Sequence, residues 1–467
     1  MCRLFAGIIV LGVLGSCTAF AQGQLDGRWR GAIEIQGASL AIEIEFRTGS
    51  QGLAASIDIP QQGAKGLPLQ SVRFEAPRVH FELPAGPGVA TFEGVLKAGG
   101  IAGTFRQGGA SGTFTIRREG SPASTGEPLP YETDEVTVKN GDIALAGTLS
   151  VPKGSPPFPA LVLVSGSGPQ DRDEDVFGFK IFRTLADHLT RNGFAVLRTD
   201  DRGVGKSTGS LRDSTSEDFA GDALAEVAYL KTRPEIDHSR IGILGHSEGG
   251  IVAPMAAIRS RDVAFIVLMA GPAVTGERIL QAQNDLVTRA EGLSEADAEA
   301  NGELQRMMFA AVRTNQGWEE VDAAIRRLVL ARVAKLPAVQ QKAIPDVNAY
   351  AAQAAAAQIA GARSPWFKFF LDYDPAPALE KVSCPVLALF GEKDIQVPAD
   401  LNRPAMAAAF AKSGNRTAEI KVIAGANHLF QAANTGGVRE YAQLPRAFTS
   451  EFLDTLTAWL RTTTRRQ

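Results

Sequence analysis

The sequence predicts an α/β protein whose mostly parallel, doubly wound sheet is preceded by a small antiparallel all-β domain. Between residues 22 and 120, apolar and polar residues alternate with a period of two, which is typical of half-buried strands. From residue 132 to 467, apolar strand-like runs alternate with amphipathic helical segments, as in a parallel sheet covered on both faces. A length of 467 residues favours two such domains.

The N-terminus has the features of an export signal. An apolar run from Leu4 to Leu14 follows a positively charged residue, and Ala19-Phe20-Ala21 is a small-x-small cleavage site. We therefore expect a signal peptide over residues 1–21 and a protein that is exported, either periplasmic or secreted. The residues that end at Cys17 also resemble a lipobox, so a lipoprotein anchored through Cys17 is the alternative. No later apolar run predicts a transmembrane helix.

The first domain, residues 22–120, is predicted to be a small antiparallel barrel or sandwich of about eight strands. The strands are expected at Ala32–Ile35, Leu40–Phe46, Leu53–Ile59, Ser71–Glu75, Val79–Leu83, Ala90–Leu96, Ile101–Phe105 and Gly112–Ile116. This domain contains no catalytic constellation. Residues 121–131 are rich in Pro, Ser, Gly and Thr, which indicates a linker to the second domain.

The second domain, residues 132–467, alternates strands and helices with one interruption. The principal buried strands are expected at Ala160–Val164, Phe194–Thr199, Ala264–Met269, Val386–Phe390 and Ala418–Ile423. Residues 274–375 contain helical sequence rich in Ala, Gln and Arg between two of these strands. An insertion of this size predicts a helical cap over an active site.

A catalytic serine is predicted in the segment Gly245–Gly250, which reads Gly-His-Ser-Glu-Gly-Gly. A Gly-x-Ser-x-Gly pattern between a strand and a helix is a nucleophile elbow, in which the glycines relieve crowding around a tight turn. The pattern alone is weak in a chain with 48 glycines. The apolar strand-like run before it and the potential helix after it identify Ser247 as the candidate nucleophile.

A serine hydroxyl needs a histidine base, and the chain has only five histidines. His428 follows the last predicted strand, where a loop can return above the sheet, and it is the candidate base. The other histidines are less suitable: His80 lies in the first domain, His188 within a helix, His238 before the elbow strand, and His246 beside the nucleophile with its side chain expected to point elsewhere.

After a nucleophile elbow, the acid that orients the base should lie between the serine and the histidine in the sequence. Asp394 comes directly after the predicted strand Val386–Phe390 and is the preferred candidate. The competing acids are Asp372, Asp374, Glu392 and Asp400.

Two backbone N–H groups are needed to stabilise the oxyanion of a tetrahedral intermediate. One is expected from Glu248, directly after the nucleophile. The other is expected from the glycine-containing loop Ser165–Pro169, with Ser167 preferred and Gly168 second.

From about Glu132 onward the chain resembles an α/β-hydrolase, and within that superfamily the secreted bacterial esterases near the serine-aminopeptidase-like branch. The resemblance implies that Asp201 and Arg202 brace the loops near the elbow. The first loop departs from the commoner His-Gly form because Ser165 precedes Gly166. The residues that carry the resemblance are Ser165–Pro169, Asp171–Asp173, Asp200–Gly203, Gly205, Ser207, Gly245–Gly250, Asp394 and His428.

Together these features predict a serine carboxylic-ester hydrolase that forms an acyl-enzyme, with short-chain acyl esters as its small-molecule substrates. A peptidase, aminopeptidase or amidase with the same triad is one alternative, and a protein that binds a ligand through its N-terminal β domain is another. A net charge of −3 gives no reason to expect nucleic acid as a partner. No metal-ligand cluster or dinucleotide-binding fingerprint predicts a metal or a cofactor.

Overall fold

The computed structural model describes residues 25–465 apart from 36–37, 50–51, 60–63, 85–87, 98–99, 108–109, 119–128, 291, 293, 337, 339–340, 342–343 and 345. The predicted signal peptide, Cys17 and residues 121–128 of the predicted linker therefore lie outside the described residues. The chain divides into two compact units. One comprises Met1–Gly126 with Ala334–Val347, and the other comprises Glu127–Val333 with Asn348–Gln467.

The first unit contains an antiparallel sheet of nine strands: β1 Gly27–Ile35, β2 Ala38–Gly49, β3 Gly52–Ile59, β4 Ala64–Pro68, β5 Gln70–Glu75, β6 Arg78–Pro84, β7 Val89–Lys97, β8 Gly100–Gln107 and β9 Ala110–Arg118. Their spatial order is β4-β3-β2-β1-β9-β8-β7-β6-β5. The N–H of Leu69, between the two edge strands, donates to the carbonyl of Ala55 in β3 over 2.9 Å. This bond brings the ends of the sheet together into a nearly closed barrel.

The alternating pattern produces this sheet because every second side chain points into an aromatic core. Phe81 lies at its centre, with ring centroids 5.8 Å from Phe46, 4.6 Å from Phe92 and 5.7 Å from Phe114. Strand β4 was not predicted, since its five residues, Ala64–Pro68, contain a glycine and end in a proline. Such residues weaken the strand signal but are tolerated at the edge of a sheet.

The second unit contains an eight-stranded sheet in the order β10-β11-β15-β12-β16-β17-β18-β19. Strands β10 and β11 pair antiparallel with their neighbours, and the rest run parallel. This arrangement confirms the predicted fold class. The eight strands of this sheet are β10 Tyr131–Asn140, β11 Ile143–Pro152, β12 Phe158–Val164, β15 Ala195–Thr199, β16 Ile236–His246, β17 Phe265–Met269, β18 Val386–Gly391 and β19 Ala418–Ile423. A separate short hairpin is formed by β13 Asp175–Val176 and β14 Phe179–Lys180.

Helices cover both faces of the second sheet. Its buried strands are apolar on both faces, so Ile243 packs into one hydrophobic core while the next residue, Leu244, packs into the core on the opposite face. The helices are α1 Ile181–Arg191, α2 Ser216–Leu230, α3 Gly249–Ala257, α4 Gly276–Ala290, α5 Glu295–Thr314, α6 Trp318–Ala334, α7 Val347–Ala362, α8 Pro365–Asp372, α9 Ala376–Leu379, α10 Ala399–Ser413 and α11 Ser450–Thr463.

Helices α4 to α8 fall within the predicted insertion at residues 274–375. None of the helices in the described ranges combines the length and the apolar character needed to span a membrane.

We expect Phe81→Ala to lower the free energy of unfolding of the first unit by about 3–5 kcal/mol, because it removes a fully buried ring from the barrel core. Hydrogen–deuterium exchange of the β1–β9 amides measures this local loss. Val89→Ala is the control, since Val89 is 51% exposed, and its effect should stay within about 0.5 kcal/mol. Equal protection in Phe81→Ala and the unmodified protein would contradict the packing described.

Candidate active site

The predicted site residues lie in loops at the carboxyl ends of parallel strands. The loop of Ser165–Pro169 follows β12, Ser247 follows β16, Asp394 comes three residues after β18 ends, and His428 comes after β19. Strands β12 and β16 are neighbours in the sheet, as are β18 and β19. Because parallel strands end at the same edge, these loops gather there, where open α/β sheets bind their ligands.

Ser247 occupies a tight turn between β16 and α3. Its φ of 52° lies in the left-handed region, which is rare for a residue with a side chain. A Cβ on Gly245 would lie 1.9 Å from the carbonyl oxygen of Gly249, and a Cβ on Gly249 would lie 2.2 Å from that of Val164. Only glycine fits at either position. The N–H of Ser247 donates to the carbonyl of Met269 over 2.8 Å, which holds the turn against β17.

Asp394 and His428 are joined by a direct hydrogen bond of 2.8 Å between Oδ2 and Nδ1, and both residues are buried. The other carboxylate oxygen accepts the N–H groups of Gln396 and Val397 over 2.8 and 2.9 Å. Burial alone would raise the pKa of Asp394, but the charge and hydrogen bond of His428 and the two N–H bonds lower it below its ordinary value. An ionised Asp394 requires Nδ1 of His428 to carry the proton, which leaves Nε2 as the acceptor in a neutral ring.

The residue before Ser247 packs against this pair, because the ring centroid of His246 lies 4.9 Å from that of His428. A Cβ on Gly166 would lie 3.2 Å from the Cβ of Ser247, so the loop after β12 also passes beside the serine. Within the described residues, no hydrogen bond joins Ser247 Oγ to His428. Such bonds are often long without substrate and shorten when it binds.

The candidate oxyanion donors are backbone N–H groups near Ser247. In the part of the chain that the structure describes, the N–H groups of Glu248, Ser167 and Gly168 have no acceptor. The N–H of Gly166, by contrast, donates to Glu174 Oε1 over 2.7 Å. The N–H of Gly166 is therefore not available as an oxyanion donor, and those of Ser167 and Gly168 both remain candidates.

The loops around the elbow are braced by buried or half-buried acids. Ser165 Oγ donates to Asp201 Oδ1 over 2.8 Å, and the N–H of Gln170 donates to Asp201 Oδ2 over 2.9 Å. Arg202 donates to Asp222 Oδ1 over 2.9 Å, which ties the loop after β15 to helix α2. These contacts match the bracing that the family resemblance implied.

Two residues of the site, Glu174 and His246, were not among the site residues predicted from the sequence. Glu174 Oε1 accepts both the N–H of Gly166 and Nδ1 of His246, the latter over 2.8 Å. The other ring nitrogen of His246 lies 3.2 Å from the carbonyl oxygen of His428. Both side chains are buried, and together they reach the loop after β12 and the loop that carries the candidate base.

The alternation of side chains along the strand indicates in part where the side chain of His246 points. With a period of two, His246 shares a sheet face with Leu244, and that face is covered by Phe430 from the loop of the candidate base. Only the tertiary structure shows which loop covers that face. Glu174 gave no signal, because it lies in the charged run Asp171–Asp175, which is typical of a solvated loop.

A cavity adjoins the elbow, and its wall combines apolar side chains with carboxyl groups. Trp366 of α8 closes one side, where its Nε1 donates to Glu248 Oε1 over 2.7 Å. Burial raises the pKa of Asp201 and of Glu226 to about 8, and it also raises the pKa of Glu248. The apolar part of the wall is formed by Leu145, Leu163, Leu211, Phe219 and Val252. Near neutral pH the carboxyl groups of Asp201 and Glu226 are therefore mostly uncharged.

Across the described ranges, no group of three or more His, Cys, Asp or Glu side chains is arranged to hold a metal ion.

Comparisons with known proteins agree with this architecture. The model of the alpha/beta hydrolase fold family matches residues 159–435, a range that includes all the loops described above. Esterase EstD of Thermotoga maritima is 29% identical over 304 residues, which cover 63% of this chain and 63% of EstD. The match thus spans less than two thirds of that relative.

Solved structures with a similar chain course include an esterase of Pyrococcus furiosus, 16% identical with a TM-score of 0.42, covering 74% of this chain and 97% of the esterase. They also include a proline iminopeptidase of Mycobacterium smegmatis, 20% identical with a TM-score of 0.43, covering 71% of this chain and 98% of that enzyme.

The raised pKa of Glu226 predicts how stability depends on pH. In the unfolded chain a glutamate ionises near its ordinary pKa of 4.5, whereas folded Glu226 stays protonated until about pH 8. Folding therefore takes up a proton between these values, and stability falls as the pH rises through this window. Glu226→Gln removes this proton uptake, so its melting temperature should rise relative to that of the unmodified protein from pH 5 to pH 8.

Melting temperatures at pH 5, 6, 7 and 8 measure this difference. Glu419→Gln, on the exposed side of β19, controls for the loss of a glutamate at the surface. A difference between Glu226→Gln and the unmodified protein that stays constant with pH would contradict the prediction.

Proposed function

Because the chain belongs to the α/β-hydrolase fold family, whose model matches more than half of its length, we propose that it is a serine carboxylic-ester hydrolase. The observation that carries this proposal is the buried 2.8 Å hydrogen bond between Asp394 and His428, at the same edge of the sheet as Ser247 with its φ of 52°. The similarity to Esterase EstD supports an ester as the bond that is cleaved.

In the proposed reaction, Asp394 accepts the Nδ1–H of His428 and so leaves Nε2 free to take the proton of Ser247 Oγ. Oγ attacks the ester carbonyl carbon, and the carbonyl electron pair moves onto the oxygen. The N–H of Glu248 and the N–H of Ser167, with that of Gly168 as the second choice, stabilise this oxyanion.

Collapse of the tetrahedral intermediate expels the alkoxide, which takes the proton from His428 and leaves the acyl group on Ser247. Water then attacks the acyl-enzyme with His428 again acting as the base, which releases the carboxylic acid and restores the serine.

The substrates proposed are small esters with short acyl chains. The cavity beside the elbow has apolar walls, and the carboxyl groups of Asp201 and Glu226 are mostly protonated near neutral pH. A protonated carboxyl group can donate and accept hydrogen bonds but does not attract a cation by its charge. These properties favour an uncharged group of the substrate in this cavity.

A second candidate is a peptidase or aminopeptidase with the same triad. The observation in its favour is the set of carboxyl groups in the cavity wall, since an ammonium group requires an ionised carboxylate. Burial disfavours the charged forms of Asp201, Glu226 and Glu248, which counts against this candidate. The other two acids of the wall, Asp200 and Asp222, are already paired with Arg172 and Arg202.

The triad is tested with Ser247→Ala, Asp394→Asn and His428→Ala. We expect Ser247→Ala to abolish covalent labelling by a fluorophosphonate and to lower kcat for p-nitrophenyl acetate by about 10⁴-fold or more. Asp394→Asn should lower kcat by about 10⁴-fold, because the amide cannot hold His428 in the tautomer that leaves Nε2 free. His428→Ala should be impaired to a similar extent.

Asp400→Asn is the matched control, since Asp400 is a competing acid in the same region and is exposed in the first turn of α10. Full activity in Asp394→Asn, or a large loss of activity in Asp400→Asn or Glu392→Gln, would show that another residue is the acid of the triad.

The bond that is cleaved is tested by comparing p-nitrophenyl acetate, butyrate and palmitate with aminoacyl and prolyl p-nitroanilides. We expect the acetate and butyrate to have the highest kcat/KM, because Asp201 and Glu226 in the cavity wall are mostly uncharged near neutral pH. The ionised Asp200 is already paired with Arg172. A higher kcat/KM for an anilide would show that the protein is a peptidase, and a preference for palmitate would exclude the short-chain substrates.

A further inference from the structure

Glu174 is held in an unusual conformation at the centre of the site. Its φ of 48° lies in the left-handed region, and the residue is 1% exposed. Its Oε1 accepts the N–H of Gly166 over 2.7 Å and Nδ1 of His246 over 2.8 Å. Its Oε2 is buried and has no hydrogen-bond partner among the described residues. Backbone strain and an unsatisfied buried oxygen persist only where the surrounding contacts enforce them, which is common at functional sites.

His246 faces an acceptor at each ring nitrogen. Nδ1 faces the carboxyl oxygen of Glu174, and Nε2 faces the carbonyl oxygen of His428 at 3.2 Å. A neutral imidazole has a single N–H and can donate only one of these bonds. When the Glu174 carboxylate is ionised, neither it nor the backbone carbonyl can donate, so both bonds form only when the ring carries two protons.

The charges around His246 favour this doubly protonated ring. Burial by itself would lower the pKa of His246, but the charge and hydrogen bond of Glu174, the bond to the carbonyl of His428 and the charge of Asp394 raise it above its ordinary value. The titratable ring of His428 also packs against His246, with its centroid 4.9 Å away.

We propose that Glu174 and His246 are positioning residues, and that His246 acts as an imidazolium which ties the loop after β12 to the loop that carries His428. The connection runs from the N–H of Gly166 to Glu174 Oε1, from there to Nδ1–H of His246, and from Nε2–H of His246 to the carbonyl of His428. This inference rests on the proposed function, in which those two loops supply an oxyanion donor and the base.

The same connection reaches the nucleophile, because Ser247 follows His246 in the chain. The oxyanion donor, the serine and the base must act together at one ester carbonyl, and the segments that carry them are thus joined by two side chains. A misplacement of about 1 Å among such groups can lower the rate by about 10²-fold.

A purely stabilising role does not account for the pair. Removing two charged groups from water carries a desolvation penalty, and apolar residues of similar volume often stabilise a core equally well. Both oxygens of Asp394 have hydrogen-bond partners, whereas Oε2 of Glu174 has none in the part of the chain that the structure describes. The geometry of Glu174 instead allows its Oε1, together with His246, to connect the loop after β12 with the loop that carries His428.

The experiment compares Glu174→Ala, Glu174→Gln, His246→Gln and the double variant Glu174→Ala/His246→Gln. The control is His188→Gln, whose histidine lies on α1 and bonds Thr457 instead of a site residue. For each protein, kcat and KM for p-nitrophenyl acetate are measured per Ser247 titrated with fluorophosphonate, so that misfolded protein is not counted. The rate constant of fluorophosphonate labelling is measured as well.

We expect Glu174→Ala and His246→Gln to lower kcat per titrated site by about 10²-fold, with KM changed by no more than about threefold. Glu174→Gln keeps an oxygen that can accept both bonds but loses the charge, so its loss should be smaller, about tenfold. The double variant should lose no more than either single variant, because both substitutions break one connection. His188→Gln should match the unmodified protein.

The protonation state of the His246 ring is measured separately by NMR. In protein labelled with ¹⁵N-histidine, two-dimensional NMR should show two ring N–H groups for His246 at neutral pH, assigned by their loss in His246→Gln. Five histidines in the chain keep this assignment tractable. A single ring N–H would overturn the imidazolium and therefore the proposed connection.

A kcat per titrated site within about twofold of the unmodified value in Glu174→Ala would overturn the proposal, as would single-variant losses that multiply in the double variant. Failure of the proposed function gives a different result. If the unmodified protein labels at Ser247 but cleaves no ester, the esterase assignment is wrong, and the series of labelling rates still decides whether Glu174 and His246 position the site.

Discussion

The close approach of backbone segments around Ser247 constrains the rest of the site. The chain turns from β16 into α3 so tightly that the serine adopts a φ of 52°, and neither Gly245 nor Gly249 has room for a Cβ. The space beside Gly249 is filled by the end of β12, at the carbonyl of Val164. The nucleophile turn and the loop after β12 therefore cannot move independently of each other.

Two carboxyl–imidazole pairs surround this turn, and they differ in how their charges are satisfied. Asp394 accepts two backbone N–H groups on one oxygen and Nδ1 of His428 on the other, so both of its oxygens have hydrogen-bond partners. Glu174 accepts Gly166 and His246 on a single oxygen. The first pair sets the tautomer of the candidate base, while the second connects the loops on either side of the nucleophile.

Much of the fold could be predicted because its signals are local. The period of two in residues 22–120 and the alternation of strands and helices from residue 132 follow directly from which side chains each element buries. Strand β4 was missed because an edge strand with a glycine and a proline needs no alternating apolar pattern. Its place is set by antiparallel pairing with β3, the strand that precedes it in the chain.

For the site, the sequence by itself determined the candidates that depend on order along the chain: Ser247 in its glycine-flanked turn, Asp394 after one strand and His428 after the next. Only the tertiary structure decided that Glu174 and His246 join them. Glu174 is separated from His246 by 72 residues, and their hydrogen bond joins the loop after β12 to the end of β16. A carboxyl group in a charged run looks the same in the sequence whether it faces water or is buried. Burial and pairing arise only when the sheet brings the ends of its strands together, which no local pattern of residues encodes.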